Sequence, residues 1–319
     1  MRNTQATIIG GDWPRKGLNF PFRDNSLMNG VRLSASGIAT YSMCQRKFYH
    51  RHIEKLPEKP SPAKVRGSIV HKILDEFFNV VDLSKVQTDK HWHDIWKEFR
   101  DILNILLDAE WKLIGDEYPD CFDNERQKQE FLGDTKEILD FYSAKLAFSL
   151  SNKIKQFKNS KWFNSDLKRF FYPKDREYKL EFLEQNMIGF VDKTMSLIGG
   201  GIAIVDYKTG KTTLPHYIAK EDLKQCKVYA YLWKAVFGKT PKHISVFYLR
   251  DGESVYYPID DDDLEEIRKD VEEIRSKEGV KENFEKNVTR LCGYCDYWNL
   301  CFKDREDYER QLANNNRTQ

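Results

Sequence analysis

One stretch of the chain, Gly189 to Lys208, joins two apolar segments through three consecutive glycines. Residues 191–198 and 202–207 are rich in apolar and β-branched side chains, a composition that favours strands. The glycines at 199–201 tolerate the positive φ that a tight turn requires. The stretch therefore predicts a β-hairpin.

The charged residues of this predicted hairpin are candidates for a metal site. Alternation along the second strand places Asp206 and Lys208 on one side and Tyr207 on the other, while Asp192 can join from the first strand. Such a pair is usually solvated, but the apolar run 202–205 indicates a strand covered on both faces. Two carboxylates there could hold Mg²⁺ or Mn²⁺, with the lysine beside a water molecule.

Composition and charge place only wide limits on the class of protein. The 319 residues are 40% hydrophobic, enough for a substantial core, and 52 basic residues balance 50 acidic ones to a net charge of +2. Charge therefore neither requires nor excludes a nucleic-acid partner. We expect no membrane span and no secretory signal, and so predict an intracellular chain in which six cysteines do not form a disulfide framework.

The chain divides into an irregular N-terminal arm (1–30), a central domain (31–302) and a polar C-terminal tail (303–319). In the domain we predict a helix from Ser34 to Ile53, a second helix opened by Gly67-Ser68 and a helical insertion at about 88–170. The insertion has two apolar stripes, the second including Phe141 and Phe148. The remainder predicts three strands, a helix, two strands and a helix, in that order.

Three further polar residues lie on predicted helices. His71 flanks an apolar helical face, where a histidine is more often structural than a metal ligand. Gln225 and Tyr229 are four positions apart on the helix after the hairpin and so share one face. This helix should run back along the sheet, where an amide and a phenol could contact a phosphate or orient Lys208.

The cysteines near the end of the chain have the spacing of a metal site. Cys292, Cys295 and Cys301 follow a C-x2-C-x5-C pattern, and Cys44 is available as a fourth thiolate. Four thiolates suit either structural zinc or an iron–sulfur cluster, and the spacing does not choose between them. Either group would link the first helix to the end of the chain.

Taken in order, these motifs resemble the PD-(D/E)XK nucleases of the RecB-like branch. The resemblance spans about residues 32–302 and rests on motifs at five places: 33–49, Gly67-Ser-Ile-Val-His71, Gly189-Phe-Val-Asp192, Asp206-Tyr-Lys-Thr-Gly210, and Gln225 with Tyr229. With the cysteines included, the iron–sulfur members are the most similar, namely the AddB nuclease domain and the CRISPR-associated adaptation exonucleases. The resemblance implies an α/β fold, namely a restriction-endonuclease-like core with a mixed central sheet flanked by helices. It also implies a helical insertion and a C-terminal iron–sulfur staple.

The resemblance also implies roles for individual residues. His71, Asp192, Asp206 and the Tyr207 carbonyl would bind catalytic Mg²⁺ or Mn²⁺, while Lys208 would position the attacking water. Gln225 and Tyr229 would support the substrate and the lysine. A 4Fe-4S cluster would be held by four cysteines: Cys44, Cys292, Cys295 and Cys301. The chain departs from the family in having Cys44-Gln45 where Cys-Pro is usual.

The implied function is a metal-dependent DNA exonuclease that prefers single-stranded ends. It would act in DNA recombination and repair, phage DNA processing or CRISPR adaptation, in the nucleoid-associated cytoplasm. No Walker motif is present, so a helicase or integrase partner is possible. We expect Arg46, Lys47 and Arg51 to contact DNA phosphates. The alternatives are a non-catalytic DNA-end-binding subunit and, with less support, a zinc-stapled RNA-binding protein.

Overall fold

The computed structural model describes residues 30–86, 89–118, 120–212, 216–277 and 279–318. All of the predicted N-terminal arm except Gly30 lies outside these residues. Within them, none of the helices is long and apolar enough to cross a membrane.

The described residues form α-helices and one mixed sheet. The strands are β1 (Leu33–Ser34), β2 (Asp175–Phe182), β3 (Met187–Ser196), β4 (Ile202–Lys208), β5 (His243–Tyr248) and β6 (Glu253–Pro258). The helices are α1 (Ala35–Met43), α2 (Gln45–Phe48), α3 (Pro62–Val80), α4 (Trp92–Glu117), α5 (Glu125–Phe157), α6 (Phe163–Phe171), α7 (Lys220–Phe237), α8 (Asp261–Ser276), α9 (Trp298–Cys301) and α10 (Arg305–Thr318).

Strand β3 organises the six-stranded sheet. It pairs antiparallel with β2 and β4 and parallel with the short β1, while β4 continues to β5 and β6 through parallel and antiparallel pairing. The predicted hairpin is confirmed as β3 and β4. Its three glycines have φ values of 91°, 94° and 87°, so each uses the freedom that the sequence pattern predicted.

The sheet is covered on both faces, as the mixed α/β prediction requires. One core packs the sheet against α1, α7 and α8 and includes Ile204 of β4. The other packs it against α3 and the insertion helices α4, α5 and α6, and includes Tyr207 of the same strand. Side chains alternate along β4, so one buried strand contributes to both cores.

Two predicted helix boundaries are wrong. The helix expected from Ser34 to Ile53 ends at Met43, because Cys44 is extended (φ −159°, ψ 108°), and the chain resumes as α2 and a π-helical turn. Helix α3 begins at Pro62, five residues before the predicted start at Gly67. Proline lacks an amide hydrogen but is tolerated in the first helical turn, where that hydrogen has no partner.

The predicted insertion consists of α4, α5 and α6, but two of its predicted core residues are at the surface. Phe141 and Phe148 are 42% and 54% exposed. Helix α5 has 33 residues, and its buried face runs through other positions. Phe141 instead lies over Gly252, where an added Cβ would come within 1.8 Å of the ring.

The C-terminal segment predicted as a polar tail forms helix α10. Its residue Tyr308 is 4% exposed and packs against Phe302 and Val288 in a small separate cluster. The amide of Asp307 donates to the side chain of Asp304, which caps the helix. Tyr308 and Leu312 are the apolar pair, four positions apart, that the composition-based prediction overlooked.

Candidate active site and cysteine cavity

His71 on α3 connects the two strands of the hairpin. Its Nδ1 lies 3.0 Å from Asp192 Oδ1, and its Nε2 lies 3.0 Å from the carbonyl oxygen of Tyr207. The amide of Tyr207 donates to Asp192 Oδ2 at 2.6 Å. Three of the predicted metal ligands are therefore in direct contact, although they come from three separate elements.

The surroundings of His71 favour its protonated form. Both ring nitrogens face oxygen atoms, so both hydrogen bonds require a proton on each nitrogen. Burial lowers the pKa of His71, but the hydrogen bond and charge of Asp192 outweigh it, and the charges of Asp206 and Glu177 add to raise the pKa to about 9. Binding a metal ion through His71 would therefore release a proton.

Asp206 is the most buried carboxylate of the group, with 2% of its surface exposed. Its Oδ2 lies 2.9 Å from Lys208 Nζ but has no well-aligned hydrogen bond, so this contact is electrostatic rather than directional. Burial raises the pKa of Asp206, the Lys208 ammonium lowers it and the Asp192 charge raises it again, giving about 6. A buried carboxylate oxygen without a hydrogen bond fits a cation site.

Glu177 is a candidate ligand that the sequence analysis missed. It lies on β2 directly opposite Asp192, between the pairs Arg176–Lys193 and Tyr178–Val191. Its backbone has a φ of 41°, uncommon for a non-glycine residue. Ligand atoms of Glu177, Asp192 and His71 lie within 4.8 Å of one another.

Glu177 is an exposed residue, unlike Asp206, but the pKa of its carboxyl shifts in the same direction. Partial burial of the carboxyl group and the charge of Asp192 raise the pKa of Glu177 to about 7. The sequence signal that could have identified Glu177 as a candidate ligand is the register of its strand. The strand was predicted to begin at Tyr178, and starting it three residues earlier against the Gly189–Asp192 segment places Glu177 opposite Asp192.

Lys208 is held by residues of α7. Its Nζ donates to Gln225 Oε1 at 2.8 Å, and Gln225 Nε2 donates to the Tyr229 hydroxyl at 2.7 Å. Asp222, which the sequence analysis also missed, lies 3.5 Å from the ammonium. Burial lowers the pKa of Lys208, but Asp206 and Asp222 raise it well above its usual value, so the side chain stays a cation.

The metal-ligand group opens onto solvent. An open cleft of about 560 Å³ is lined by six residues: Gly67, Ser68, His71, Lys72, Asp75 and Glu177. The basic residues predicted to meet DNA phosphates do not line it. Arg46 donates to the Phe284 carbonyl, Arg51 lies near Glu58, and Lys47 lines the cysteine cavity described below.

The comparisons with known proteins identify the family. A family model for the PD-(D/E)XK nuclease superfamily matches residues 32–302. The chain belongs to the PD-(D/E)XK nuclease superfamily. Membership implies a nuclease with DNA as its substrate. No curated protein matches the chain. The crystal structure of SSO0001 is similar at 13% sequence identity and a TM-score of 0.27, covering 73% of this chain and 96% of that one, which is too distant to bear on fold or function.

The nuclease brings its four predicted cluster ligands to one small cavity. Cys44, at the break between α1 and α2, lines it together with Cys292, Cys295 and Cys301 from the end of the chain. Burial raises the pKa of the Cys295 and Cys301 thiols. A metal would be needed to hold thiols in such surroundings as thiolates.

The spacing of the four thiols can be compared with the spacing of the ligands around a zinc ion. With Zn–S bonds of about 2.3 Å, tetrahedral zinc holds its sulfur atoms about 3.8 Å apart. Among the described residues, only His71, Glu177 and Asp192 bring three ligand atoms within 4.8 Å of one another. No three of the thiols are that close. In this structure the thiols are therefore spaced more widely than the sulfur atoms around a bound zinc ion.

Two features around the cavity were not predicted. His50 also lines it, and its Nε2 is buried without a hydrogen-bond partner in the described part of the chain, while Nδ1 contacts Glu54. Hydrogen bonds also tie the two chain segments together independently of the thiols. The amide of Arg46 donates to the Glu285 carbonyl at 2.9 Å, and Asn287 Nδ2 donates to the Met43 carbonyl at 2.8 Å.

Proposed function

We propose that this nuclease is a Mg²⁺- or Mn²⁺-dependent DNA exonuclease of the RecB-like branch. The observation that carries the proposal is the set of contacts that joins His71, Asp192 and the backbone of Tyr207. On either side of Tyr207 in the same strand, Asp206 and Lys208 contact each other. His71, Asp192, Asp206 and the Tyr207 carbonyl would hold the metal ion, and Glu177 would join them. When bound, the divalent cation would polarise the scissile phosphate and lower the pKa of a coordinated water.

The protein's own groups prepare the site for phosphodiester hydrolysis. The Lys208 ammonium would position the attacking water and stabilise the negative charge that develops on the phosphoryl oxygens. Gln225 fixes the direction of this ammonium, and Tyr229 fixes Gln225. Since both partners are on α7, one helix would hold the lysine in position through the reaction.

The cysteine cavity supports a second element of the proposal. Cys44, Cys292, Cys295 and Cys301 would bind a 4Fe-4S cluster with a structural role. The cluster would join α1 to the end of the nuclease domain.

Single-stranded ends are the proposed substrate. A flexible strand can bend into the cleft beside Glu177, whereas blunt duplex must first lose about 1.4 kcal/mol of stacking per base-pair step. DNA recombination and repair, phage DNA processing and CRISPR adaptation are contexts that need such an activity, and a helicase or integrase partner would supply unwound ends. The rival function, a non-catalytic DNA-end clamp, has no need of an aligned Lys208, Gln225 and Tyr229.

The deciding experiment compares end-labelled linear single strands with covalently closed circles of the same sequence, with and without Mn²⁺. We expect metal-dependent loss of the linear strand only, faster than for blunt duplex and absent in Lys208→Ala. Equal cleavage of the circles would replace the exonuclease with an endonuclease. No cleavage of any substrate, together with retained binding to DNA ends, would support the clamp.

A further inference from the structure

The chain carries a strongly basic segment far from the predicted phosphate contacts. Residues 141–174 contain eight lysines and arginines against one carboxylate, Asp166, a net charge of +7. The rest of the chain therefore has 44 basic and 49 acidic residues, a net charge of −5. The near-neutral total conceals a positive region at the end of α5 and on α6.

The cations of this segment are unpaired. Among the described residues, none of the eight forms an ion pair, and six of them between the end of α5 and the start of β2 are exposed: Lys155, Lys158, Lys161, Lys168, Arg169 and Lys174. The other half of α5 is different, because Arg126, Lys128 and Lys136 each have a carboxylate partner. Helix dipoles favour basic residues at the ends of α5 and α6, including Lys158 at the C-cap of α5, but they do not account for Lys161, which precedes the start of α6.

Aromatic rings alternate with these cations. Trp162 is 65% exposed, and Lys161 Nζ lies 5.4 Å from the centre of its ring. Phe157 stacks on Phe170 at 5.4 Å, which joins the end of α5 to α6, and Arg169 lies over Phe170. An exposed indole surrounded by unpaired cations is the combination that binds single strands, since bases stack on the ring while phosphates meet the charges.

The basic segment is connected to the candidate metal site. Phe171 and Tyr172, at the end of α6, contact Phe78 on α3, the helix that carries His71. The chain then passes Lys174 and enters β2, where Glu177 lies three positions further on. A strand bound on the segment would therefore be held by the elements that position the site.

We propose that residues 153–174, here called the basic arm of the insertion, form a binding surface for single-stranded DNA outside the cleft. This surface deepens the proposed function, on which it rests, by naming where the strand is held before its end enters the site. Trp162 would stack on a base, and the exposed cations would contact phosphates. Duplex DNA would use the charges alone, because its bases are already stacked on one another.

Binding of a 30-nucleotide single strand tests the surface, measured by fluorescence anisotropy over a range of salt concentrations in a Lys208→Ala background. Replacing Lys158, Lys161 and Arg169 together by alanine should weaken binding and reduce the slope of log K against log [salt] by about 2, at about 0.7 per phosphate contact. Trp162→Ala should weaken single-strand binding about tenfold and leave duplex binding unchanged. The matched control replaces Arg126, Lys128 and Lys136, which removes the same charge from the first half of α5 and should leave the slope unchanged.

The test separates this surface from the proposed activity. With Lys208 intact, the basic-arm triple variant should hydrolyse bis(p-nitrophenyl) phosphate, a substrate too small to reach the arm, at the wild-type rate. No hydrolysis by the wild type would count against the proposed activity and leave the binding result standing. An unchanged salt slope in the folded triple variant, an equal change in the control, or equal losses for single strand and duplex in Trp162→Ala would overturn the surface.

Discussion

The two candidate sites of this nuclease are built in opposite ways. The acidic site lies on the central sheet between two large cores, and its side chains contact one another: His71 with Asp192, and Lys208 with Asp206 and Gln225. The cysteine cavity lies where α1 ends and short segments near the end of the chain meet, and its lining includes Trp298 and Phe302 of a small separate apolar cluster. We therefore expect the first site to be supported by the two cores, and the second to add to the stability of the fold when its proposed group is bound.

The largest effect we expect is at the acidic site, where Asp206→Asn and Lys208→Ala should each reduce cleavage about a thousandfold. Their effects on stability should have opposite signs. The folded-state pKa of Asp206, about 6, is above its ordinary value, so at pH 7.5 its charge destabilises the fold and Asp206→Asn should raise the unfolding midpoint. Lys208→Ala leaves that charge buried without its cation and should lower the midpoint.

Cleavage rates and thermal unfolding in EDTA check both parts of this prediction. Lys179→Ala, which removes an exposed lysine of β2 paired with Glu181, is the control and should change neither quantity. More than a few per cent of wild-type cleavage in either site variant would contradict the catalytic assignment.

The cysteine cavity should show the reverse pattern, with the largest effect on stability. Cys44→Ala or Cys292→Ala should remove the iron and the brown colour of protein purified without oxygen. Because the linkage closes a loop of almost 250 residues, the chain-entropy model predicts a loss of about 5 kcal/mol in the free energy of unfolding. Cys121→Ala removes one buried thiol outside the cavity and should keep both iron and colour. Stoichiometric zinc without iron in metal analysis would refute the cluster.

A substitution at Glu177 tests how far the acidic site depends on the fold. Glu177 belongs to no recognised motif and lies in the site because of the register of β2. Glu177→Gln keeps the shape of the side chain and removes one negative charge near Asp192, so we expect the Mn²⁺ concentration for half-maximal cleavage to rise about tenfold or more. Glu181→Gln is the control on the same strand, since Glu181 pairs with Arg32 and Lys179. Equal metal dependence in wild type and Glu177→Gln would exclude Glu177 as a ligand.

The smallest effect we expect is at Tyr229 of α7, and Tyr231 on the same helix is its control. The Tyr229 hydroxyl accepts a hydrogen bond from Gln225, and the Tyr231 hydroxyl donates one to Gln185. Tyr229→Phe removes the hydroxyl that holds Gln225, and should lower kcat several-fold with little change in metal dependence. Tyr231→Phe removes the bond to Gln185, away from the lysine, and should cost about 1 kcal/mol of stability without changing kcat. If the two variants had the same kcat, Tyr229 would have no role in positioning Lys208.

Local patterns predicted the central hairpin well. The glycine run and the apolar segments on either side of it correspond to β3, the turn and β4, and the alternation in β4 correctly placed Asp206 and Lys208 on one side. These features depend on neighbouring residues, whose steric and burial preferences act whatever the rest of the chain does. The error at Cys44 has the opposite cause, since the helix breaks where the chain meets a distant segment and the amide of Arg46 donates to the Glu285 carbonyl. The start at Pro62 is itself local, because Ser61 caps the helix and proline suits its first turn, and the prediction overlooked that signal.

The sequence by itself determined the chemical types of the two sites: carboxylates and a lysine on a buried hairpin, and cysteines with the spacing of a metal site. Only the tertiary structure decided which atoms meet. His71 reaches Asp192 because α3 packs in the same core as Tyr207 of β4, and Glu177 joins because of the register of β2. Arg46 donates to the Phe284 carbonyl and does not line the cleft. The physical reason is that side-chain chemistry is local, whereas contact between distant residues depends on packing angles and register that the whole core sets together.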